Sequence, residues 1–363
     1  MRDVRWIPIV VLLAAVPAGA QTTLATLTET GWQALQQGDG EQAASAFESA
    51  LRVNPRDAML HVGLGAAARL LGRDQDAAES LQRALRLDPE LIPAIVMLGE
   101  IEYLQGNSAS AIRRYEQALP SATGRAASAI RARLNEWRKE AGVHEKLVER
   151  TEARFSITFD GRSENALAER ATGVLDRAFW RIAGRLGAYP ANRILVTFYT
   201  EQQFRDITRG PAWATGTFDG KIRIPTRGAE QDREEFDRVL VHELTHAMIS
   251  GIAPRGVPAW LHEGLASYFE PRDVTEALQQ VRSGGSVFTL SDLEQDFSRF
   301  GAKQASLAYD VSLVAADLLV QLLDTRLAAL LQALGRGQSF EQAMVQVGLR
   351  ASDFEAQVMR RLR

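Results

Sequence analysis

The sequence contains no cysteine and only five histidines among its 363 residues. Without cysteine the chain can form neither disulfide bonds nor metal sites with thiolate ligands, and it cannot carry a lipid on an N-terminal cysteine. The formal net charge is only −3, so the composition indicates no nucleic-acid or membrane-surface partner. Any metal site must therefore use histidine and carboxylate ligands.

Residues 1–20 have the three parts of a secretory signal peptide. Arg2 and Arg5 provide a basic start, an apolar run follows over 6–16, and small residues occupy 18–20. The apolar run is short for a membrane span, although an uncleaved anchor is the alternative. The pattern predicts cleavage at the end of this segment, a periplasmic or secreted protein, and no stable membrane span afterwards.

Residues 24–123 contain a repeat with a period of 34 residues. Three sets of positions recur in register, a small position, a turn position and a large apolar position: Gly31, Gly65 and Gly99; Gly38, Gly72 and Gly106; Phe47, Leu81 and Tyr115. This is the tetratricopeptide pattern, with repeats at 24–57, 58–91 and 92–123. Such repeats stack into an all-α superhelix whose concave face can bind a peptide or a protein partner. With only three copies, a spacer or dimerisation element is an open alternative.

Residues 124–149 are predicted to form a capping helix and a linker. The helix is expected over 125–141 and to end at Gly142, with three apolar residues on one stripe: Ile130, Leu134 and Trp137. Its arginines alternate with glutamates, a pattern typical of a solvated helix face rather than a binding patch.

From about residue 150 the pattern becomes that of an α+β domain. Strands are expected at 154–159, 194–199 and 217–224, the last interrupted by Asp219-Gly220, and an amphipathic helix at 166–186. Residues 272–363 are mostly helical in pattern. Their most apolar part, 311–333, includes charged residues and is predicted to be a buried helix pair rather than a membrane segment.

A helix predicted over 232–250 contains the sequence HELTH, an HExxH motif that begins at His242. Histidines at i and i+4 lie on one helix face, so His242 and His246 can bind one metal ion. Glu243 can then position a water molecule activated by that metal. A surface helix with two satisfied histidines would show the same letters, but apolar residues flank this motif on both sides.

A third protein ligand is still needed, and Glu263 is the best candidate. It belongs to the apolar segment 260–266, read WLHEGLA, which follows a proline suited to the start of a helix. Two imidazoles and one carboxylate form a usual ligand set for catalytic Zn²⁺ and leave one position open. His262 is not included among the ligands, because its helical neighbour Glu263 points about 100° away from it.

HELTH followed by WLHEGLASYFE resembles the gluzincin metallopeptidases, and most closely their peptidase-MA-like family. The resemblance covers roughly residues 150–363. It implies a zincin-like α+β metallopeptidase domain in which Zn²⁺ is bound by His242, His246 and a glutamate on the next helix, here Glu263. It also implies that the strand before the metal helix lies at the sheet edge and pairs with substrate, and strand 217–224 is the candidate.

The catalytic roles are assigned partly by this resemblance. Glu243 is the expected general base. Gluzincins often use a downstream tyrosine or histidine to stabilise the oxyanion, and by elimination Tyr309 is the candidate, although a packed core tyrosine is the alternative. Thermolysin-like members have an acidic residue where this chain has Ser267; Glu270 or Asp310 could orient a histidine instead, and the sequence assigns this role to neither.

Two functions follow from the sequence. The first is an exported zinc metallopeptidase that hydrolyses peptide bonds in a peptide or protein substrate, with the repeats recruiting that substrate or a partner. The second is a non-catalytic extracytoplasmic scaffold with a structural or residual metal site. A purely structural site needs no general base, so the intact HELTH with Glu243 favours the enzyme.

Overall fold

The repeat region folds into three consecutive helix pairs followed by one longer helix. The computed structural model describes residues 18–161, 163–209, 215–270, 272–284 and 288–363. Most of the predicted signal peptide lies outside the described residues. The helices are α1 (Ala18–Gln37), α2 (Gly40–Val53), α3 (Ala58–Leu70), α4 (Asp74–Leu87), α5 (Ile92–Leu104), α6 (Ser108–Ala118) and α7 (Gly124–His144).

In each pair, a large side chain of the second helix packs on a glycine of the first. Phe47 lies on Gly31, and Leu81 lies on Gly65 in the same way. A Cβ atom added to either glycine would lie within 2.9 Å of that side chain, closer than packed atoms tolerate. The third pair repeats the arrangement with Tyr115 on Gly99. The 34-residue register therefore reflects a steric requirement that recurs in each helix pair.

Helix α7 covers the last pair but differs from its prediction in two respects. Ile130, Leu134 and Trp137 are buried as expected. The helix does not end at Gly142, which lies inside it; an isolated helical glycine costs only about 1 kcal/mol, which the buried stripe can offset. The charged face is not fully solvated either, because Glu140 is only 3 % exposed. The prediction of a solvated face is therefore wrong at this residue.

The second region contains a five-stranded mixed sheet. The strands are β1 (Val148–Thr151), β2 (Phe155–Phe159), β3 (Ile194–Tyr199), β4 (Thr217–Phe218) and β5 (Ile222–Pro225). Their order is β1-β2-β3-β5-β4, with the three central strands parallel and the two outer strands antiparallel to their neighbours. Strand β1 was not predicted from the sequence, because it is short and its mostly exposed residues do not alternate in polarity.

The predicted strand 217–224 is a hairpin rather than one strand. The chain reverses at Gly220, whose φ of +99° is open to glycine but strained for other residues. As a result β5 lies inside the sheet between β3 and β4, and only the two-residue β4 is at the edge. The expectation that all of 217–224 forms the edge is therefore wrong, and β4 alone occupies that position.

Helices cover the sheet and form the rest of the domain. They are α8 (Asn165–Leu186), α9 (Glu201–Thr208), α10 (Arg233–Ile252), α11 (Ala259–Phe269), α12 (Val274–Ser283), α13 (Ala302–Leu323), α14 (Leu327–Gly335), α15 (Phe340–Gln346) and α16 (Ala351–Leu362). Gly187 ends α8 in the left-handed conformation, with φ +65°. The predicted fold class, a helical repeat region followed by an α+β domain, is confirmed.

The apolar stretch near the C-terminus forms two core helices. Residues 302–335 are long and apolar enough to cross a membrane by length and composition alone. Within the domain, however, 67 % of their most apolar window is buried against other elements. Helices α13 and α14 are thus the core pair predicted for 311–333, and α13 packs directly on α11.

Candidate metal centre

Helix α10 presents both histidines of the HExxH motif from one face. Asp232 caps its N-terminus by accepting a hydrogen bond from a backbone N–H three residues on, at 2.9 Å. The opposite side of the helix is fixed in the core by Leu244 and Met248, both fully buried. His242 and His246 lie one turn apart with ring centroids 4.7 Å from each other.

Helix α11 places Glu263 against that face because it packs very closely on α13. Trp260, Leu261 and Leu265 are buried and anchor the helix. Gly264 lies against the backbone of Ser312, and a Cβ atom at this glycine would overlap the Ser312 carbonyl oxygen. Any larger residue would therefore separate the two helices and displace the neighbouring glutamate.

The three predicted ligands converge. The Nε2 atoms of His242 and His246 are 3.1 Å apart, and Glu263 Oε2 lies 3.4 Å from the first and 3.3 Å from the second. Their potential ligand atoms all lie within 4.8 Å of one another. The sequence spacing alone placed these residues together, and the structure brings them to one point.

These residues fit a bound divalent metal. Glu263 Oε2 is buried and has no hydrogen-bond partner among the described residues, an arrangement that costs free energy unless a cation is present. Burial alone would lower the pKa of His242, but the carboxylates of Glu263 and Glu270 raise it to about 10, so the site favours positive charge. Two imidazoles and one carboxylate are suited to Zn²⁺.

Glu270 lies behind His242, whereas Asp310 does not approach either histidine ligand. Glu270 Oε2 is 3.4 Å from His242 Nδ1, and Arg238 donates a hydrogen bond to the same carboxylate oxygen at 2.5 Å. Asp310 instead accepts a hydrogen bond from Arg272 at 2.5 Å. Of the two acidic residues considered from the sequence, Glu270 is therefore the one positioned to orient a histidine ligand.

His262 lies behind the other histidine ligand. Its Nδ1 is 2.5 Å from His246 Nδ1, the two rings stack with centroids 4.6 Å apart, and Ser250 Oγ is 3.5 Å from its other nitrogen. The Nε2 of His246 remains directed at Glu263. His262 thus lies against Nδ1 of His246, the ring nitrogen that faces away from the proposed metal position. This position agrees with leaving His262 out of the ligand set.

Glu243 lies on the side of the centre that faces strand β4. Burial raises the pKa of its carboxyl, and the imidazoles of His246 and His242 oppose the shift. A raised pKa suits a group that must accept and then release a proton near neutral pH. Gly216, just before β4, is packed so tightly here that a Cβ atom on it would lie 2.9 Å from Glu243 Oε1.

A cavity of about 440 Å³ opens beside His242 and Glu243. Tyr309 on α13 lines it, with its ring centroid 6.3 Å from that of His242. Burial and the carboxylates of Glu263 and Glu243 raise the pKa of Tyr309, so its hydroxyl stays protonated and can donate a hydrogen bond. Ser267, also in the lining, has a buried hydroxyl without a hydrogen-bond partner among the described residues.

Other residues of this cavity were not found from the sequence. Gly216, Arg238 and Arg272 line its wall. Gly216 precedes the metal helix, Arg238 lies within that helix four residues before His242, and Arg272 follows the second motif, but none of them belongs to either motif. Only the Arg238-to-Glu270 contact could have been suspected, since a buried carboxylate needs a positive partner.

Comparison with protein families agrees with the fold and with the position of the site. The tetratricopeptide repeat family matches residues 28–92. The peptidase MA superfamily matches residues 175–356, half of the chain, and this match includes all of α10, α11 and α13. None of the curated proteins compared with the chain matches it. With the HExxH helix and the glutamate of the following helix converging as described, the chain belongs to the peptidase MA superfamily.

Proposed function

We propose that the chain is a zinc-dependent metallopeptidase in which Glu243 is the general base. The observation that carries the proposal is the convergence of His242, His246 and Glu263 on one point, with an unpartnered buried oxygen of Glu263 directed to it. Glu243 lies beside this point and faces the cavity in which a substrate carbonyl would fit.

His242, His246 and Glu263 would hold zinc, which would supply the acidification of a water molecule and the polarisation of the scissile carbonyl. Glu243 is one residue from a ligand on the same helix, so its carboxylate reaches that water without binding the metal. It accepts the proton of the attacking water and then transfers it to the leaving amine. Its raised pKa makes both transfers feasible near neutral pH.

Two further elements would hold the substrate. The Tyr309 hydroxyl, kept protonated by its environment, donates a hydrogen bond to the negative charge that develops on the carbonyl oxygen. In the described part of the chain β4 pairs with β5 alone, so its outer edge offers backbone N–H and C=O groups to an extended peptide. The chain enters β4 through Gly216, which packs against Glu243.

The decisive experiment is the Glu243→Gln variant, with zinc content and hydrolysis of a peptide library measured on one preparation. The variant should keep about one zinc per chain and lose roughly 10²–10⁴-fold in rate, the usual contribution of a general base. Glu234→Gln is the matched control, because Glu234 is exposed in the first turn of the same helix. A Glu243→Gln protein that keeps its zinc and cleaves as fast as the parent would exclude this mechanism and favour a scaffold.

We also propose that the protein is exported, to the periplasm or outside the cell. The support is the basic start, the apolar run and the small residues that end at Ala20. N-terminal sequencing of exported protein should then begin at Gln21. Recovery of the intact N-terminus from cytoplasmic protein would show that the proposal is wrong.

A further inference from the structure

The repeat region meets the catalytic domain through the turns inside its helix pairs. The glycines at these turns, 34 residues apart, all have positive φ angles, and each lies against a residue of the second region. The contacts pair Gly38 with Gly337, Gly72 with Pro254 and Gly106 with Leu195. Since the three turns are equivalent, they form one edge of the repeat stack, and this edge faces the catalytic domain.

A second cavity, of about 490 Å³, lies along this joint. The repeat turns contribute Arg69, Asp74 and Leu104 to its wall. On the other side it is lined by Phe218 of strand β4 and by Ser250 near the end of the metal helix. The cavity is therefore built jointly by the repeats and by the two elements that flank the metal centre.

The two cavities follow one another along the same face of α10. The first touches Val239 and Glu243, and the second touches Ala247 and Ser250, at the spacing of residues that share a helix face. The segment 216–218, which includes β4, also borders both cavities, since Gly216 lines the first and Phe218 lines the second. We call the surface between the two cavities, along this face of α10 and the outer edge of β4, the groove.

The length of the groove sets the length of its occupant. From Val239 to Ala247 the helix advances eight residues, or about 12 Å at 1.5 Å per residue. An extended peptide covers about 3.3 Å per residue, so about four residues would connect the two cavities. A peptide paired with the edge of β4 and passing Glu243 would therefore reach the repeat turns.

The second cavity has a mixed polar and apolar lining with one positive charge in excess. Arg69 and Arg193 line it together with a single acidic residue, Asp74. The Nη1 atom of Arg69 is buried without a hydrogen-bond partner among the described residues and is 3.6 Å from Asp74 Oδ1. This cation therefore already faces Asp74, whereas Arg193 is exposed and forms no ion pair with another described residue. The guanidinium of Arg193 thus favours an acceptor on the occupant, a backbone carbonyl or an acidic side chain. Tyr189, which is 56 % exposed, adds an aromatic surface to the lining.

We propose that this second cavity is a substrate subsite, in which the repeat turns bind the polypeptide about four residues from the bond that is cut. The inference rests on the proposed peptidase function. It assigns the repeats a direct part in substrate binding, through their turn edge rather than their concave face. It also predicts that the second cavity prefers an acidic to a basic residue at the substrate position that it binds, about four residues from the cleaved bond.

The absence of cysteine allows a direct test on the full-length protein. Asp74→Cys introduces a single thiol into the second cavity, where a bulky maleimide can be attached. Asp76→Cys is the matched control: it lies two residues along α4 but lines a different cavity, between the helix pairs, together with Leu64 and Arg83. The probes are two quenched fluorescent peptides with the same cleavage site, one ending near the cleaved bond and one extended by six residues on both sides.

The measurement is the ratio of kcat/KM for the extended peptide to that for the short one. In unlabelled protein the ratio should be about ten or more, the size of one hydrogen bond to a charged group. Labelling Asp74→Cys should remove this preference, and labelling Asp76→Cys should leave it intact. A third peptide with lysines in place of acidic residues in the extension should be cleaved more slowly than the acidic one.

The outcomes separate the two proposals. A ratio near one in unlabelled protein, or an equal ratio with and without the Asp74→Cys label, overturns the subsite while cleavage itself supports the peptidase. Loss of the ratio on labelling Asp76→Cys would place recognition at the cavity between the helix pairs and also overturn the subsite. If neither peptide nor the library is cleaved by zinc-loaded protein, the peptidase function fails, and the subsite fails with it.

Discussion

Replacing Glu140 by glutamine is expected to lower the free energy of unfolding by about 3 kcal/mol, the lower end of the cost of breaking a buried ion pair. Glu140 lies on α7 at the joint between the repeats and the sheet. Arg223 of β5 donates a hydrogen bond to its carboxylate at 2.9 Å, and Lys221 Nζ is 3.6 Å away. Tyr103 of α5 donates another hydrogen bond to it. The glutamine would remove the ion-pair partner of the buried Lys221 and leave Arg223 with Asp219, at 3.2 Å, as its remaining counter-charge.

The magnitude can also be obtained from the titration of the carboxyl. Burial alone would raise the pKa of Glu140, but the charges of Arg223 and Lys221 outweigh burial and lower it from 4.5 to about 2. A shift of that size corresponds to roughly 3 kcal/mol of stability at neutral pH. The side chain is only 4 % exposed, so solvent screening does not reduce this value much.

The sign of the pH dependence follows from the lowered pKa. Above pH 4.5 the carboxyl is ionised in both the folded and the unfolded chain, and its contribution to stability is complete. Between pH 4.5 and about 2 the unfolded chain binds the proton first, so the contribution decreases as the pH falls. The difference between parent and Glu140→Gln protein should therefore be constant above pH 4.5 and approach zero near pH 2.

Urea denaturation at several pH values, followed by circular dichroism and by tryptophan fluorescence, would measure this difference. The control is Glu136→Gln on the same helix, whose side chain is 40 % exposed and pairs with Arg133 and Arg209 on the surface. The control should change stability by at most about 1 kcal/mol. Equal effects of the two substitutions at pH 7, or an effect of Glu140→Gln that persists unchanged to pH 2, would refute the reasoning.

Three other predictions concern the metal centre. Glu263→Ala should strip the zinc by removing a ligand, and full zinc occupancy by metal analysis would contradict the assignment. Gly264→Ala should destabilise the fold by about 1–3 kcal/mol because its Cβ overlaps Ser312, whereas Gly142→Ala, with open space around it, should be neutral or slightly stabilising. Tyr309→Phe should lower kcat by about 10²–10³-fold without loss of zinc, and an unchanged kcat would return this tyrosine to a packing role.

The repeats could be predicted from the sequence because their pattern is local. Each large side chain and the glycine that receives it lie within one 34-residue unit, so the requirement appears three times in register. The end of α7 could not be predicted in this way. Gly142 is a common helix terminator, but here the helix runs on to His144, beyond the buried Trp137 and Glu140. Tertiary burial outweighed a local preference of about 1 kcal/mol.

The predicted ligands came together because their spacing reflects helix geometry. Two histidines at i and i+4 share a face in any α-helix, and a glutamate on the next helix can meet them if that helix folds back. The Nδ1 atoms of His242 and His246 face away from the metal position, and their partners depend on how α11 is rotated against α10. No local pattern in the sequence specifies this rotation. Glu270 and Asp310 therefore remained two candidates until the helices were placed, and the contact of His262 with His246 was not predicted.

The contacts between the repeat region and the second region, which form the joint, could not be predicted from the sequence. Glu140 and Arg223 are 83 residues apart; Glu140 belongs to an alternation of charges on a helix, and Arg223 to an alternation of basic and apolar residues in a strand. The glycines of the repeat turns were recognised in the sequence, but the positive φ of a tight turn is enough to require glycine there. Their presence therefore gave no indication that the turns contact the second region. Only in the folded chain does one edge of the repeats lie along the groove formed by α10 and β4.

Since the same joint contains the buried charge cluster on Glu140, weakening that cluster should also loosen the wall of the second cavity. Glu140→Gln should therefore reduce the preference for extended peptides, an effect that Glu136→Gln should not have.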